Sequence, residues 1–142
     1  MRMFPVVKAC LGASVMLGAL AAAAPAAAPL IALARIEPGL YQLKEVGSSA
    51  PPKSLCISNA AVLIQLEHPD ANCSRFVIDD TPDSTTVHYT CPGSGHGRTV
   101  VKIATPRAVA LETQGIANRA PFDIDMQGRR VGDCDPRKTA LH

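Results

Sequence analysis

The side chains best suited to chemistry in this 142-residue sequence are its cysteines and histidines. Thiolates and imidazoles bind zinc, and closed zinc sites usually place two cysteines about two to four residues apart. The closest pair of cysteines after position 34, Cys56 and Cys73, is separated by much more than that. This spacing favours disulfides over a zinc site that includes His88 or His96, and we expect no metal ligand. The cysteines available for pairing are Cys56, Cys73, Cys91 and Cys134.

The segment between Cys73 and Cys91 is typical of a β-hairpin. Residues 74–79 and 85–90 are rich in β-branched and aromatic side chains, and turn-forming residues separate them. A ribbon folded about Pro82 sets Cys73 directly opposite Cys91. Because side chains alternate along a strand, the same register gives two more facing pairs on the cysteine face. These are Val77 with Val87 and Arg75 with Tyr89.

Four cysteines allow three pairings, and the hairpin register selects one of them. Directly facing residues of an antiparallel ribbon have β-carbons about 4.5 to 5.5 Å apart, which a disulfide can bridge. We therefore expect Cys73 to pair with Cys91, and Cys56 with Cys134. The second bridge closes by far the longer loop. In the chain-entropy model that loop contributes about 4 kcal/mol to stability, against about 3 kcal/mol for the hairpin loop.

Two other motifs resemble binding sites. Asp79, Asp80 and Asp83 form an acidic turn that could hold calcium through oxygen ligands, although carboxylates at a hairpin tip are more often only solvated turn formers. The glycine-rich residues 93–99 resemble a phosphate-binding loop, but a helix should follow such a loop and residues 99–103 alternate as a strand. We expect a mobile loop at residues 92–97, while calcium at the acidic turn stays an open alternative.

No catalytic group can be assigned from the sequence. A nucleophile or general base needs an oriented partner, and any grouping of His88 or Ser84 with the acidic turn is arbitrary. His68 lies before Pro69 at the end of a predicted helix, where a cation is favoured. We therefore expect no catalytic residue, no cofactor and no enzymatic activity.

The beginning of the chain, residues 1–34, is typical of an export signal and a spacer. Arg2 and Lys8 form a basic start, residues 9–28 are apolar or small throughout, and cleavage fits best after Ala26 or Ala34. A membrane anchor is the alternative, because the apolar stretch approaches the ~20 residues that a span requires. Cleavage would leave a chain without a membrane span, in the periplasm or secreted.

Removal of the leader leaves a neutral chain with a thin core. Two of the 14 basic residues leave with it, so 12 Lys and Arg remain against 12 Asp and Glu. A neutral chain without a clustered basic face does not predict nucleic-acid binding. We expect one domain over residues 35–134 and a polar tail over residues 135–142. With few aromatic residues left in the core, disulfides are the usual compensation in a small exported domain.

The rest of the pattern predicts a mainly β (α+β) fold, a single antiparallel, curved sheet of about six strands with one short helix. Ser58 or Asn59 can cap that helix, which would run over residues 60–66 and end before Pro69, although its β-branched residues also suit a strand. Residues 47–53 are expected to form a loop. The strands are expected at residues 40–46, 74–79, 85–90, 99–103 and 109–113 and from residue 122 onward.

Several of these segments together resemble a bacterial exported family, domain of unknown function 3617. The most specific parts of the resemblance are Gly39-Leu40-Tyr41 and the run from Arg130 to Cys134, Arg-Val-Gly-Asp-Cys. The family usually has Trp where Tyr41 stands. The resemblance implies a location in the bacterial envelope and a compact sheet, but no reaction.

Three classes of function remain. A neutral sheet held by disulfides, without an assignable nucleophile, favours a non-enzymatic domain that binds an envelope protein or supports assembly. The alternative is a carrier of a small apolar ligand, because curved antiparallel sheets can enclose one. A hydrolytic enzyme is the third class. An internal apolar cavity of at least about 300 Å³ would support the carrier.

Overall fold

Seven antiparallel strands form one sheet in the computed structural model, which describes residues 29–135. The strands are β1 (Gly39–Glu45), β2 (Lys53–Ile57), β3 (Ser74–Asp80), β4 (Ser84–Cys91), β5 (Gly95–Thr105), β6 (Ala108–Ala117) and β7 (Ala120–Gly132). Two short 3-10 helices are η1 (Leu33–Arg35) and η2 (Ala60–Gln65). The predicted leader as far as residue 28 and the predicted tail from residue 136 lie outside the described residues.

The strand order is β2-β1-β7-β6-β5-β4-β3, so β2 and β3 are the two edges of the sheet. Strands β3 to β7 follow one another as a meander joined by tight turns, and β1 pairs with β7. The turn between β6 and β7 contains Asn118 and Arg119, both with positive φ, as a two-residue hairpin turn requires. The prediction of a mainly β, single antiparallel sheet is confirmed.

The hairpin register is as predicted. In the β3–β4 pair Val77 lies opposite Val87 and Arg75 opposite Tyr89. A bulge after Val77 then shifts the register by one residue, so that Asp79 faces Thr86. Because the bulge lies near the turn, the end of the hairpin that carries the two cysteines keeps the predicted register.

One face of the sheet carries the core. Buried apolar side chains from every strand except β3 point to this face, and η1 and η2 cover it. A polar link fixes η2 to the sheet, because the Thr99 hydroxyl donates to the Ile64 carbonyl at 2.6 Å and lies 2.8 Å from the Thr113 hydroxyl. The largest fully buried side chains include Tyr41, Tyr89, Ile57, Leu63, Ile64, Leu111, Val87 and Val101.

Three local predictions differ from the structure. Strand β2 is not among the predicted strands, and it lies between the expected loop and the expected helix. It raises the strand count from about six to seven. The predicted helix is a 3-10 helix of six residues, capped by Asn59, whose side chain accepts from the Ala61 amide at 2.9 Å. The expected mobile loop at residues 92–97 is shorter, because β5 already begins at Gly95.

The packed core begins before residue 35. Ala32 and Leu33, which lie in the predicted spacer, are buried together with Ile36. We call residues 30–36, which include η1, the N-terminal segment. Within residues 29–135 no helix is both long and apolar enough to cross a membrane.

Candidate functional site

Two disulfides secure the ends of the sheet, and they join the same cysteines that the hairpin register selects. Cys73 and Cys91 connect the open end of the β3–β4 hairpin, with α-carbons 4.1 Å apart. Cys56 and Cys134 connect edge strand β2 to the residues after β7, with α-carbons 5.5 Å apart. A disulfide-bonded cysteine is neither a nucleophile nor a metal ligand, so these four residues have a structural role.

The two segments with the most specific family resemblance lie side by side. Gly39 begins β1, and a β-carbon at this position would lie 2.6 Å from the Gly132 carbonyl oxygen and closer still to the Arg130 side chain. The Arg130 Nε atom donates to the Pro38 carbonyl at 2.9 Å, and another guanidinium nitrogen pairs with Asp133. These contacts fix the last strand to the first, so the motif is structural.

Edge strand β3 exposes a row of apolar side chains. Phe76 is 70% exposed, Ile78 is 52% exposed and Val77 is 44% exposed. In the described part of the chain β3 pairs with β4 on one side only. An edge strand of this kind offers unpaired backbone groups as well as apolar side chains, and both favour the addition of another strand. Because side chains alternate, Phe76 lies on the face of the sheet opposite to Val77.

A pocket of about 440 Å³ lies beside this edge, between β3 and β4 on one side and η1 and η2 on the other. We call it the β3 pocket. Its walls are apolar except for Asn59 and Arg75. The Asn59 side chain already caps η2, which leaves Arg75 as the charged group of the lining. The other lining residues are Pro29, Leu30, Leu33, Ala34, Ala60, Ala61, Ile64, Val77 and Val87.

A buried amide orients Arg75. An Arg75 guanidinium nitrogen donates to the Gln65 Oε1 atom at 2.7 Å. The Gln65 Nε2 atom donates to the carbonyl oxygens of His68 at 3.0 Å and Ala71 at 3.1 Å, so its oxygen is left facing the guanidinium. None of the ion pairs among residues 29–135 includes Arg75.

The acidic turn binds the N-terminal segment. The two carboxylate oxygens of Asp80 accept from the backbone amides of Ile31 at 2.7 Å and Ala32 at 3.3 Å. Arg35 pairs with Asp83 and donates to the Pro82 carbonyl at 2.8 Å. Two of the three carboxylates considered for calcium are therefore used in contacts within the protein. No group of three or more metal-binding side chains occurs in residues 29–135.

His88 and His96 lie together on the opposite face of the sheet, with ring centroids 6.1 Å apart. They border a depression of about 370 Å³ that also includes Arg98 and Asp123. Among the described residues, the hydrogen bonds of histidine side chains belong to His68. Within residues 29–135 neither exposed imidazole is therefore hydrogen-bonded to a carboxylate.

His68 is buried, which the sequence does not indicate. Its Nδ1 atom lies 3.2 Å from the Tyr89 hydroxyl and its Nε2 atom 3.2 Å from the Ser94 carbonyl. Its ring also contacts Phe122 edge to face. His68 thus connects the segment after η2 to the sheet.

Both tyrosines are buried and structural. The Tyr41 hydroxyl donates to the Glu37 carbonyl at 2.7 Å and lies 3.2 Å from the Pro106 carbonyl. Burial raises the pKa of Tyr41, against the opposing effect of the Arg130 charge. Burial likewise raises the pKa of Tyr89.

The sequence pattern correctly predicts that Arg75 and Val77 share a face of the hairpin, but it does not indicate a pocket there. Leu30 and Leu33, which line the pocket, fall within the predicted spacer after the export signal. The signal that could have found them is the recurrence of large apolar residues at Leu30, Leu33 and Ile36, after a run made mostly of alanine.

The sheet and its disulfides correspond to a known protein family. A family model described as "Protein of unknown function (DUF3617)" matches residues 36–134. The match spans β1 to β7 and both disulfides. No curated protein and no solved structure matches the chain.

Proposed function

Since the chain belongs to the DUF3617 family, whose description names no activity, we propose a function from the geometry alone. The protein is a non-enzymatic binding domain of the bacterial envelope, and it holds an extended segment of a partner protein along β3. A binding or assembly-support role is also what the disulfide-held sheet favours, because no oriented nucleophile or base accompanies it in residues 29–135.

The observation that carries this proposal is the exposed apolar edge. Phe76, Val77 and Ile78 are consecutive, large and exposed on a strand that, among the described residues, has a free side. Natural proteins usually protect such an edge with charges, proline or a covering segment. A partner strand added to β3 would gain backbone hydrogen bonds, while its alternate side chains would reach the β3 pocket and the Phe76 face.

Site-specific photo-crosslinking in the envelope tests this proposal. A photoreactive phenylalanine analogue at Phe76 should yield a crosslinked partner, whereas the same analogue at Val131 should not. Val131 is a matched control because it is an exposed apolar residue, 49% accessible, on β7 and away from β3. The crosslinked peptide, once synthesised, should slow amide hydrogen exchange in β3. Equal crosslinking at both positions, or protection elsewhere only, would contradict strand addition.

Export is part of the proposal. Two disulfides are the expected form in an oxidising compartment, and the composition of residues 1–28 is typical of a signal peptide. Cleavage after Ala26 is favoured over cleavage after Ala34, because the later cut would remove Ala32 and Leu33 from the core. N-terminal sequencing of periplasmic protein should give Ala27 as the first residue. A chain that still began at Met1 would contradict export with cleavage.

A second candidate function is the carriage of a small apolar ligand. The β3 pocket, at about 440 Å³, falls within the range of about 300 to 1,000 Å³ typical of ligand pockets, and its walls are apolar. Native mass spectrometry of protein purified from the envelope distinguishes the two functions. A small molecule bound at one per chain would support the carrier, and an empty chain that captures a peptide would support strand addition.

A further inference from the structure

We propose that the β3 pocket binds a free single-chain aliphatic carboxylate, with the alkyl chain against the apolar walls and the carboxylate on Arg75. The inference rests on the second candidate function, the carriage of a small apolar ligand, and does not require strand addition to β3. It names the chemical class of that ligand and the residue that selects it.

The walls specify the apolar part of the ligand. Leu33, Ile64 and Val87 are buried core residues that also line the pocket, so its base is continuous with the core. Removing an alkyl chain from water against such walls stabilises the complex in proportion to the apolar area that is buried. At about 440 Å³ the pocket lies near the lower end of the range for ligand sites, which suits one chain better than a two-chain lipid.

Arg75 specifies the charged part. It is the charged residue of the lining, and no ion pair in residues 29–135 neutralises it. A guanidinium presents several donors in a planar fork that matches a carboxylate. One of its nitrogens is held by Gln65, so the group is oriented before a ligand arrives and can present its other nitrogens to a carboxylate.

Gln65 makes this orientation specific. Its side chain is buried, and its amide nitrogen is held by the carbonyls of His68 and Ala71. A neutral amide aligns the guanidinium without cancelling its charge, whereas a carboxylate at the same position would compete with the ligand. The pocket therefore combines apolar walls with one oriented and unneutralised cation.

The test compares decanoate with decanol, which have the same chain length and differ in charge. Binding to delipidated, processed protein from the envelope is measured by calorimetry, below the micellar concentration of decanoate and below the solubility limit of decanol. We expect decanoate to bind about 10-fold more tightly than decanol, near the lower end for a hydrogen bond to a charged group because Arg75 is exposed. The variant Arg75→Gln should bring the ratio of the two affinities close to one. Arg98→Gln, on the opposite face of the sheet, should leave both affinities unchanged.

Each other outcome overturns a defined part of the argument. If neither compound binds, the carrier function fails and the inference fails with it. If decanol binds as tightly as decanoate, or Arg75→Gln does not change the ratio, the carrier stands and the carboxylate class is wrong. Binding only to phosphatidylglycerol vesicles, with no binding of free decanoate, would also overturn the proposal, because the site would then recognise a membrane surface.

Discussion

The ring of Tyr89 lies across Gly97, so close that a β-carbon at position 97 would be 2.5 Å from the tyrosine hydroxyl oxygen. The two residues face each other in the β4–β5 pair. The absence of a side chain at position 97 lets the ring extend over β5 and reach His68, whose Nδ1 atom lies 3.2 Å from the hydroxyl. A glycine that suggests a flexible loop in the sequence is thus a site of close packing.

Substitution of Gly97 by alanine should therefore destabilise the domain. We expect Gly97→Ala to lower the free energy of unfolding by about 1 to 3 kcal/mol, the usual cost of overpacking. Gly132→Ala is the matched control, because no atom lies within 4 Å of a β-carbon built there and its φ is not positive. Urea unfolding of both variants gives the comparison. Equal stability of the two variants would show that Tyr89 can move aside without cost.

Alkaline pH should unfold the protein through its two tyrosines. The chain contains two tyrosines, and burial raises the pKa of both above the ordinary value of about 10. In this situation the unfolded state loses its phenolic protons at a lower pH than the folded state. The stability that the two protonated tyrosines give to the folded state is fully present below about pH 10. It is lost as the pH rises through the folded-state pKa values.

Tyrosinate absorbance measured against pH checks this prediction. In the folded protein the absorbance should rise only above about pH 10 and together with the loss of β-sheet circular dichroism. Tyr41→Phe removes one of the two titrating groups and should reduce the amplitude by about half, since each chain has two tyrosines. Full ionisation near pH 10 with the sheet intact would contradict the burial argument.

The long-range disulfide should contribute more to stability than the hairpin disulfide. The bridge from Cys56 to Cys134 has a sequence separation of 78 and the bridge from Cys73 to Cys91 a separation of 18. Loss of the longer one, as Cys56→Ala with Cys134→Ala, should cost about 4 kcal/mol, against about 3 kcal/mol for loss of the shorter one. Urea unfolding gives the two values, and reduction of both bridges should lower the melting temperature by many degrees.

The controls for the disulfide prediction are Asp79→Ala and His96→Ala, because both residues are exposed. Each control should change the free energy of unfolding by less than about 0.5 kcal/mol. A non-reducing peptide map that joined Cys56 to Cys73 would refute the pairing itself.

Alternating patterns made most of the sheet predictable. The register of Val77 with Val87 follows from the sequence because a ribbon folded about Pro82 sets Cys73 opposite Cys91, and the other facing pairs follow from that register. Strand β2 is not predicted from the sequence, because five residues are too few to show a distinct alternating pattern. The two prolines before it also favour a loop. Its pairing with β1 is a tertiary effect.

The candidate site could not be predicted, because it depends on contacts between distant segments. The N-terminal segment, η2 and β3 come from three separate stretches of the sequence that share no pattern, yet they form one pocket. The contact between His68 and Tyr89 depends in the same way on Gly97, because a β-carbon at position 97 would lie 2.5 Å from the tyrosine hydroxyl oxygen. Periodicity describes single elements and carries no information about these juxtapositions.

The last prediction concerns the hydrogen bonds from Asp80 to the N-terminal segment. Each carboxylate oxygen accepts from one backbone amide, that of Ile31 or that of Ala32, which lie far from Asp80 in sequence. Asparagine has one acceptor oxygen, so Asp80→Asn leaves one of these amides without its partner. We expect a loss of about 0.5 to 2 kcal/mol in the free energy of unfolding, as for removal of a capping side chain.

Hydrogen exchange locates the effect. In Asp80→Asn the amides of Ile31 and Ala32 should exchange at least several-fold faster. The ranking of exchange rates among the amides of β5 and β6 should stay the same. Asp79→Asn is the matched control, because the Asp79 side chain is exposed. The hydrogen bond from the Thr85 hydroxyl goes to the Asp79 backbone carbonyl, which the substitution keeps. If both variants exchange alike at Ile31 and Ala32, the Asp80 carboxylate does not hold the N-terminal segment, and the wall of the β3 pocket formed by Leu30 and Leu33 must be held by the contacts of Arg35 and by apolar packing.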